Sequence, residues 1–249
     1  MEIAELSNSA IAMMAIAIAL ASMITSVTGM AGGVLMFAAM NVFIPLRPLV
    51  AIHGAVQVMN NAARTWFLRQ DVRWGMCLPF SAGAILGAVL ATLFVAKVVG
   101  EFFPLLIIAL LILYTLFKPK KMPALKIPDR HFFFVGVATG MMGILVGVVD
   151  PLLAVFFIRD DLTKEEVVSN KSMMQMVTHC TKIPAYLFLG FSFWDHAELI
   201  LIFGLAGVIG AKLGVVLLQK INTKFFFILM KTALFIAAIR IVYQLIEMV

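Results

Sequence analysis

Long apolar segments fill almost the whole chain, and they limit the folds that are open to it. These segments lie near 10–28, 30–44, 49–68, 76–96, 102–117, 132–158, 167–190, 197–218 and 225–246. With 63% hydrophobic and only 13% charged residues, the chain exceeds the roughly 45–50% apolar content of a soluble domain. The segments lack the alternating pattern of an outer-membrane barrel, and most approach the ~20 residues that a membrane-spanning helix needs. We therefore predict an all-α polytopic membrane protein.

The formal net charge of +6 could by itself indicate nucleic-acid binding. However, basic residues beside membrane spans are what the positive-inside rule produces, so we expect a lipid bilayer and no nucleic acid as the partner. Glu2 and Glu5 precede the first apolar segment without a basic residue, which is not typical of a cleaved signal peptide. Our expectation is a multi-pass integral protein of a prokaryotic plasma (inner) membrane.

A basic segment at 118–130 divides the chain into two halves that match in order and in chemistry. The matching pairs are GMAGG (29–33) with GILVG (143–147), QVMNNAAR (57–64) with QMVTHCTK (175–182), and LGAVL (86–90) with IGAKL (209–213). Their offsets increase from 114 to 118 to 123 residues, as small loop insertions would make them. We predict a first repeat at 1–117, a connecting loop at 118–130 and a second repeat at 131–249.

Glycine residues interrupt the segment 132–158, whose 27 residues are too many for one span and too few for two. We expect a glycine-broken re-entrant helical hairpin here and a counterpart in 10–44. Each half then has three transmembrane helices and the repeats are inverted, with eleven Lys and Arg residues on one side and two on the other. If both segments instead cross, the repeats are parallel and the division is seven against six. The positive-inside rule favours the inverted arrangement, with the central loop in the cytoplasm.

Polar and basic side chains share one face of the segment 49–68 and of its partner in the second half. The first stripe contains His53, Gln57, Asn60, Asn61 and Arg64, and the second contains Lys171, Gln175, Thr178, His179 and Lys182. Such groups cost several kcal/mol in hydrocarbon unless they meet each other, the backbone or water. Two related stripes predict one substrate site at the repeat interface. The alternative is that Asn, Gln and Thr only bind neighbouring helices.

Basic residues outnumber acidic ones at the expected membrane depth, where Arg64, Lys182 and Lys212 stand against Asp150. This surplus favours a small anion as the substrate. Helix breaks add free backbone N–H groups and the positive end of a helix dipole. We therefore assign the breaks to the substrate site as well, with Gly29, Gly32, Gly33, Gly143 and Gly147.

Asp150 and His179 are the candidates for proton coupling, since either could exchange a proton within the membrane. Asp150 could equally form an ion pair with a lysine. The coupling ion is a proton or sodium. We expect no cofactor, no metal site and no enzymatic activity, because nucleotide-binding and H-E-x-x-H motifs are absent from the sequence.

The stretch GMAGGVLMF, the polar stripe after it and RQDVRWG, with a degenerate second copy, resemble the sulfite exporter TauE/SafE family over essentially the whole chain. The glycine run corresponds to Gly29, Gly32 and Gly33, and the Arg-rich stretch to Arg69, Asp71, Val72, Arg73 and Trp74. Asn170 and Lys171 match the pattern of the second half. The chain departs from the family at Ala31, Leu145, Val146 and Asp150.

The resemblance implies a transporter of sulfite, organosulfonates or related sulfur oxyanions. Together with the polar stripes, it leads us to expect a secondary transporter whose site lies near the membrane midplane at the repeat interface. An anion channel on the same scaffold and a carboxylate transporter are the alternatives.

Overall fold

The computed structural model describes residues 6–95, 102–117, 126–145, 150–159, 161–188 and 190–247, which are helical with no β-strand among them. The α-helices are α1 (Asn8–Thr28), α2 (Gly32–Asn41), α3 (Leu46–Phe67), α4 (Trp74–Leu90), α5 (Phe102–Phe117), α6 (Phe132–Leu145), α7 (Asp150–Phe157), α8 (Lys164–Phe188), α9 (Ala197–Lys220) and α10 (Thr223–Glu247). The prediction of an all-α chain is confirmed.

Several of these helices have the length and composition of membrane spans. In the described ranges, four are long and apolar enough to cross a bilayer, namely Asn8–Thr28, Trp74–Leu93, Trp194–Lys220 and Thr223–Glu247. The helices α3 and α8 have 22 and 25 residues but carry the polar stripes, which lowers their hydropathy. An integral membrane protein is therefore confirmed, whereas six crossings with two re-entrant hairpins stay a prediction.

The first glycine-broken segment forms a hairpin with unequal arms. Helix α1 has 21 residues and α2 only 10, so α1 alone could cross the bilayer. The chain reverses at Gly29 and Ala31, which have φ of 75° and 77°. Helix α2 then returns so closely along α1 that a Cβ placed on Gly32 would lie 2.0 Å from the carbonyl oxygen of Ala21. Only glycine fits there.

The second glycine-broken segment also contains two helices. Helix α6 has 14 residues and α7 has 8, so both are shorter than a full span. The predicted tip around Gly147 lies outside the described residues. Proline at the second position of α7, Pro151, suits a helix start, since its missing N–H has no intrahelical partner there.

Contacts between helices reveal how corresponding elements of the two halves run. Helices α3 and α8 are antiparallel, because Leu68 contacts Ser169 while His53 lies beside His179. Helices α1 and α9 are parallel, as are α4 and α6. The packing of α1 on α9 thus has its counterpart in the packing of α6 on α4.

A register of 118 residues relates α1 and α2 to their counterparts α6 and α7. Asp150 at the start of α7 lies 118 residues after Gly32 at the start of α2. Gly210 approaches the carbonyl of Ala19, while Gly87 approaches that of Val137, again 118 residues later. This register, already seen for the polar stripes, differs from the offset of 114 expected at the glycine breaks, and it makes Asp150 the counterpart of Gly32.

Many basic side chains gather at one end of the bundle, which we call the basic end. Arg73, after α3, binds Glu166 at the start of α8. Lys126 and Asp161 lie 4.0 Å apart. Lys164 donates a hydrogen bond to the carbonyl of Leu218 near the end of α9. These contacts bring the loops before α4, α6, α8 and α10 together.

Candidate functional site

Arg64 of α3 is completely buried, and neutral oxygens surround its guanidinium group. Its three nitrogens donate hydrogen bonds of 2.8–3.4 Å to oxygens of Ser22, Ser26, Asn60, Asn61 and Ser172. We call Arg64 and these five residues the Arg64 cluster. It joins α1, α3 and α8.

The Arg64 cluster holds a positive charge without a carboxylate among its hydrogen-bond partners in the described chain. Serine and amide oxygens satisfy the N–H groups but do not neutralise the charge. A buried cation of this kind produces a strong positive potential, because little water is near to screen it. The cluster is therefore attractive to an anion at a short distance.

The tip of the α1–α2 hairpin meets the start of α7 through Asp150. The carboxylate of Asp150 accepts hydrogen bonds from the backbone N–H of Ala31 and from the ammonium group of Lys171, both at 2.8 Å. Lys171 also donates to the carbonyl of Gly29. The left-handed backbone of Ala31 costs strain, but it directs this N–H at the carboxylate. Asp150 thus forms the predicted alternative, an ion pair with a lysine.

A second group of polar residues lies further along α3 and α8, where the rings of His53 and His179 are 6.0 Å apart. His53 donates from Nε2 to the carbonyl of Gly33 at 3.0 Å. Nδ1 of the buried His179 has no hydrogen-bond partner among the residues that the structure describes. The buried Lys182 interacts electrostatically with both rings. We call His53, His179 and Lys182 the histidine cluster.

The remaining residues predicted for the site lie at several places in the bundle. Gln57 lies next to Gly33, and Gln175 and Thr178 are buried on α8. The hydroxyl of Thr178 binds the carbonyl of Met174 in its own helix. Gly143 is buried near the end of α6, whereas Gly147 lies outside the described residues. Lys212, expected at membrane depth, is exposed on the outer surface of α9.

The serine residues that surround Arg64 were not predicted from the sequence. Ser22 and Ser26 are one helical turn apart on the otherwise apolar helix α1, so they face α3 together. Ser172 follows Lys171 on α8 and contacts Arg64. A pair of serines at i and i+4 in an apolar span was the available signal.

Asn170 connects the RQDVRW stretch to α8 at the basic end. Its side-chain oxygen accepts from the N–H of Arg73 at 2.7 Å, and its side-chain nitrogen donates to the carbonyl of Asp71. The hydrogen bond with Glu166 raises the pKa of Arg73. Burial, and then the nearby Glu165 and Glu166, raise the pKa of Asp71. The hydrogen bonds of Asn170 also help to place the next residue, Lys171, against the tip of the α1–α2 hairpin.

Comparisons with known proteins identify the family of the chain. The family profile described as Sulfite exporter TauE/SafE matches residues 14–241, which include both polar stripes, both glycine-broken segments from Met14 onwards and the loops between them. Neither a curated protein nor a solved structure matched the chain significantly. Members of the matched family are membrane transporters of sulfur anions and are not enzymes. The chain belongs to the sulfite exporter TauE/SafE family.

Proposed function

We propose that this protein is a secondary transporter that carries sulfite, a sulfonate or a related sulfur oxyanion through a site between α3 and α8. The observation that carries the proposal is the surplus of positive charge on the buried faces of these helices. Arg64, Lys171 and Lys182 are buried there, whereas Asp150 is the acidic residue that contacts one of them. The surplus attracts an anion into a region where cations alone are costly.

We further propose that the two halves, 1–117 and 131–249, are inverted repeats joined by 118–130. The antiparallel contact of α3 with α8 supports this arrangement, because equivalent helices of parallel repeats point in the same direction. The site then lies on the pseudo-symmetry axis near the membrane midplane, as in other transporters built from inverted repeats. The protein functions in the plasma membrane of a prokaryote, with the basic end in the cytoplasm.

The hairpin tips are the candidates for the moving parts. Asp150 and Lys171 connect the tip of one hairpin to the start of α7. Opening this contact would expose the buried site to the basic end. His179 and Asp150 remain the candidates for carrying a coupling proton, and sodium is the alternative coupling ion.

The proposal is tested by sulfite uptake into proteoliposomes that contain the purified protein. We expect uptake to saturate with sulfite concentration, to follow an imposed proton or sodium gradient, and to be inhibited by excess ethanesulfonate. Uptake that does not saturate and carries single-channel current would indicate the alternative anion channel. Competition by acetate or succinate without sulfite transport would indicate a carboxylate transporter.

A further inference from the structure

We propose that the histidine cluster is the subsite that binds the anion, and that the sulfite or sulfonate group occupies a space beside Gly54. This inference rests on the proposed transport function and assigns different roles to the two polar clusters. The Arg64 cluster supplies positive potential and joins three helices. The histidine cluster makes the direct contacts with the oxyanion.

The two clusters occupy corresponding positions in the two halves. With the register of 118 residues, Lys182 corresponds to Arg64 and His179 to Asn61. Ser172, which contacts Arg64, corresponds to Gly54. The other two serines of the Arg64 cluster, Ser22 and Ser26, correspond to Gly140 and Ile144. The three serine positions of the Arg64 cluster are therefore glycine or isoleucine at their counterparts in the other half.

The space beside Gly54 is the second observation. Gly54 is buried on α3, yet a Cβ placed on it would meet no atom within 4 Å among the described residues. Elsewhere on α4, α6 and α9, a Cβ on Gly87, Gly140 or Gly210 would lie 2.0–2.2 Å from a backbone oxygen. Gly54 therefore does not serve close helix packing. Ser172 contacts Arg64, so under the proposed inverted repeat we infer that the corresponding position, Gly54, faces Lys182.

The chemistry around this space suits an oxyanion. His179 is 5% exposed, and its Nδ1 has no hydrogen-bond partner in the described part of the chain, although a buried ring nitrogen ordinarily has one. A protonated Nδ1 can donate to one oxygen of the anion, while the Lys182 ammonium group binds another with its charge. The missing side chain at Gly54 lets the anion approach the backbone of α3. Sulfite and the head group of a sulfonate present several oxygens of this kind.

The test is isothermal titration of the purified, full-length protein in detergent with sodium sulfite and with sodium ethanesulfonate. Gly54→Leu fills the space, so we expect it to weaken sulfite binding by about tenfold or more, the effect of losing about 1.4 kcal/mol. Gly54→Ser adds less volume and should weaken binding less. Ala55→Leu adds bulk to the adjacent, half-buried position and should leave the affinity unchanged.

Each result either supports or overturns the subsite. Wild-type binding together with undiminished binding by Gly54→Leu would overturn it while leaving the transport function in place. An equal loss in Ala55→Leu would overturn it too, since the effect would not belong to the space beside Gly54. If the wild type binds neither anion, the proposed function fails and this inference fails with it. Should Gly54→Leu not fold, Gly54→Ser decides the matter by the same comparison.

Discussion

At the scale of single residues, the fold manages buried cations in two different ways. Hydrogen bonds from neutral oxygens surround Arg64, whereas Lys171 has a carboxylate partner in Asp150. The first arrangement retains the positive potential and the second cancels it. Under the proposed function, an anion would therefore be drawn more strongly towards Arg64 and Lys182 than towards Lys171, although Asp150 also interacts electrostatically with Arg64.

Lys171→Met tests the role of the ion pair. The change leaves the Asp150 carboxylate buried with the Ala31 N–H as its remaining hydrogen-bond donor in the described structure. Removing one partner of a buried ion pair costs about 3–5 kcal/mol. We expect a marked fall in the midpoint of thermal unfolding in detergent. The double variant Lys171→Met/Asp150→Asn should recover much of the loss, and a single variant as stable as the wild type would contradict this role.

At the scale of elements, glycine does two kinds of work in this protein. On α4, α6 and α9 it permits backbones to touch, and at the end of α1 it permits a reversal of the chain. Gly87 is an example of the first, since its Cβ would lie 2.1 Å from the carbonyl oxygen of Val137. Gly29 is an example of the second, with φ of 75°.

Gly87→Leu and Gly54→Leu should have opposite effects on stability. The first must separate α4 from α6 and should cost about 1–3 kcal/mol or more, the usual cost of overpacking. In the second, the added Cβ meets no atom within 4 Å among the described residues, and leucine is a better helix former than glycine, which gains about 1 kcal/mol. We expect a lower unfolding temperature for Gly87→Leu only. Equal destabilisation by the two variants would show that Gly54 is also a packing position.

The sequence contained enough information to predict the elements but not all of their contacts. Hydropathy predicted the helices, and periodic spacing placed Gln57, Asn61 and Arg64 on one face. Both signals depend only on residues that are close together in the sequence. The limits of α1 were predicted as well, since the apolar segment at 10–28 corresponds to Asn8–Thr28, but composition alone does not show whether this helix crosses the membrane. Arg64 has hydrogen-bond partners on α1 and α8, and a single sequence does not reveal contacts between residues so far apart in the chain.

At the scale of the whole molecule, the basic end joins the two halves and gives the protein a direction. The loops that meet there carry Arg73, Lys126, Arg159 and Lys164. Positive charge of this kind stays in the cytoplasm. The same end holds the contacts of Asn170, which connects both halves.

Cysteine labelling in intact cells tests this direction. In a Cys180→Ser background, where the remaining Cys77 is buried, Ser7→Cys should react with a membrane-impermeant maleimide from outside. Arg130→Cys, also at an exposed position, should react only after the cells are made permeable. Labelling of Arg130→Cys in intact cells would contradict the proposed orientation. Labelling of Ser7→Cys only in permeable cells would contradict it too.

We propose that a buried lysine of α8, Lys182, binds the transported anion. Radiolabelled sulfite uptake into proteoliposomes is measured for the wild type, for Lys182→Met and for Lys212→Met. Lys182 is buried, whereas Lys212 is exposed on α9, so the two variants remove the same charge from different places. We expect Lys182→Met to abolish sulfite uptake and Lys212→Met to retain it. Uptake by Lys182→Met at the wild-type rate would show that Lys182 does not bind the transported anion.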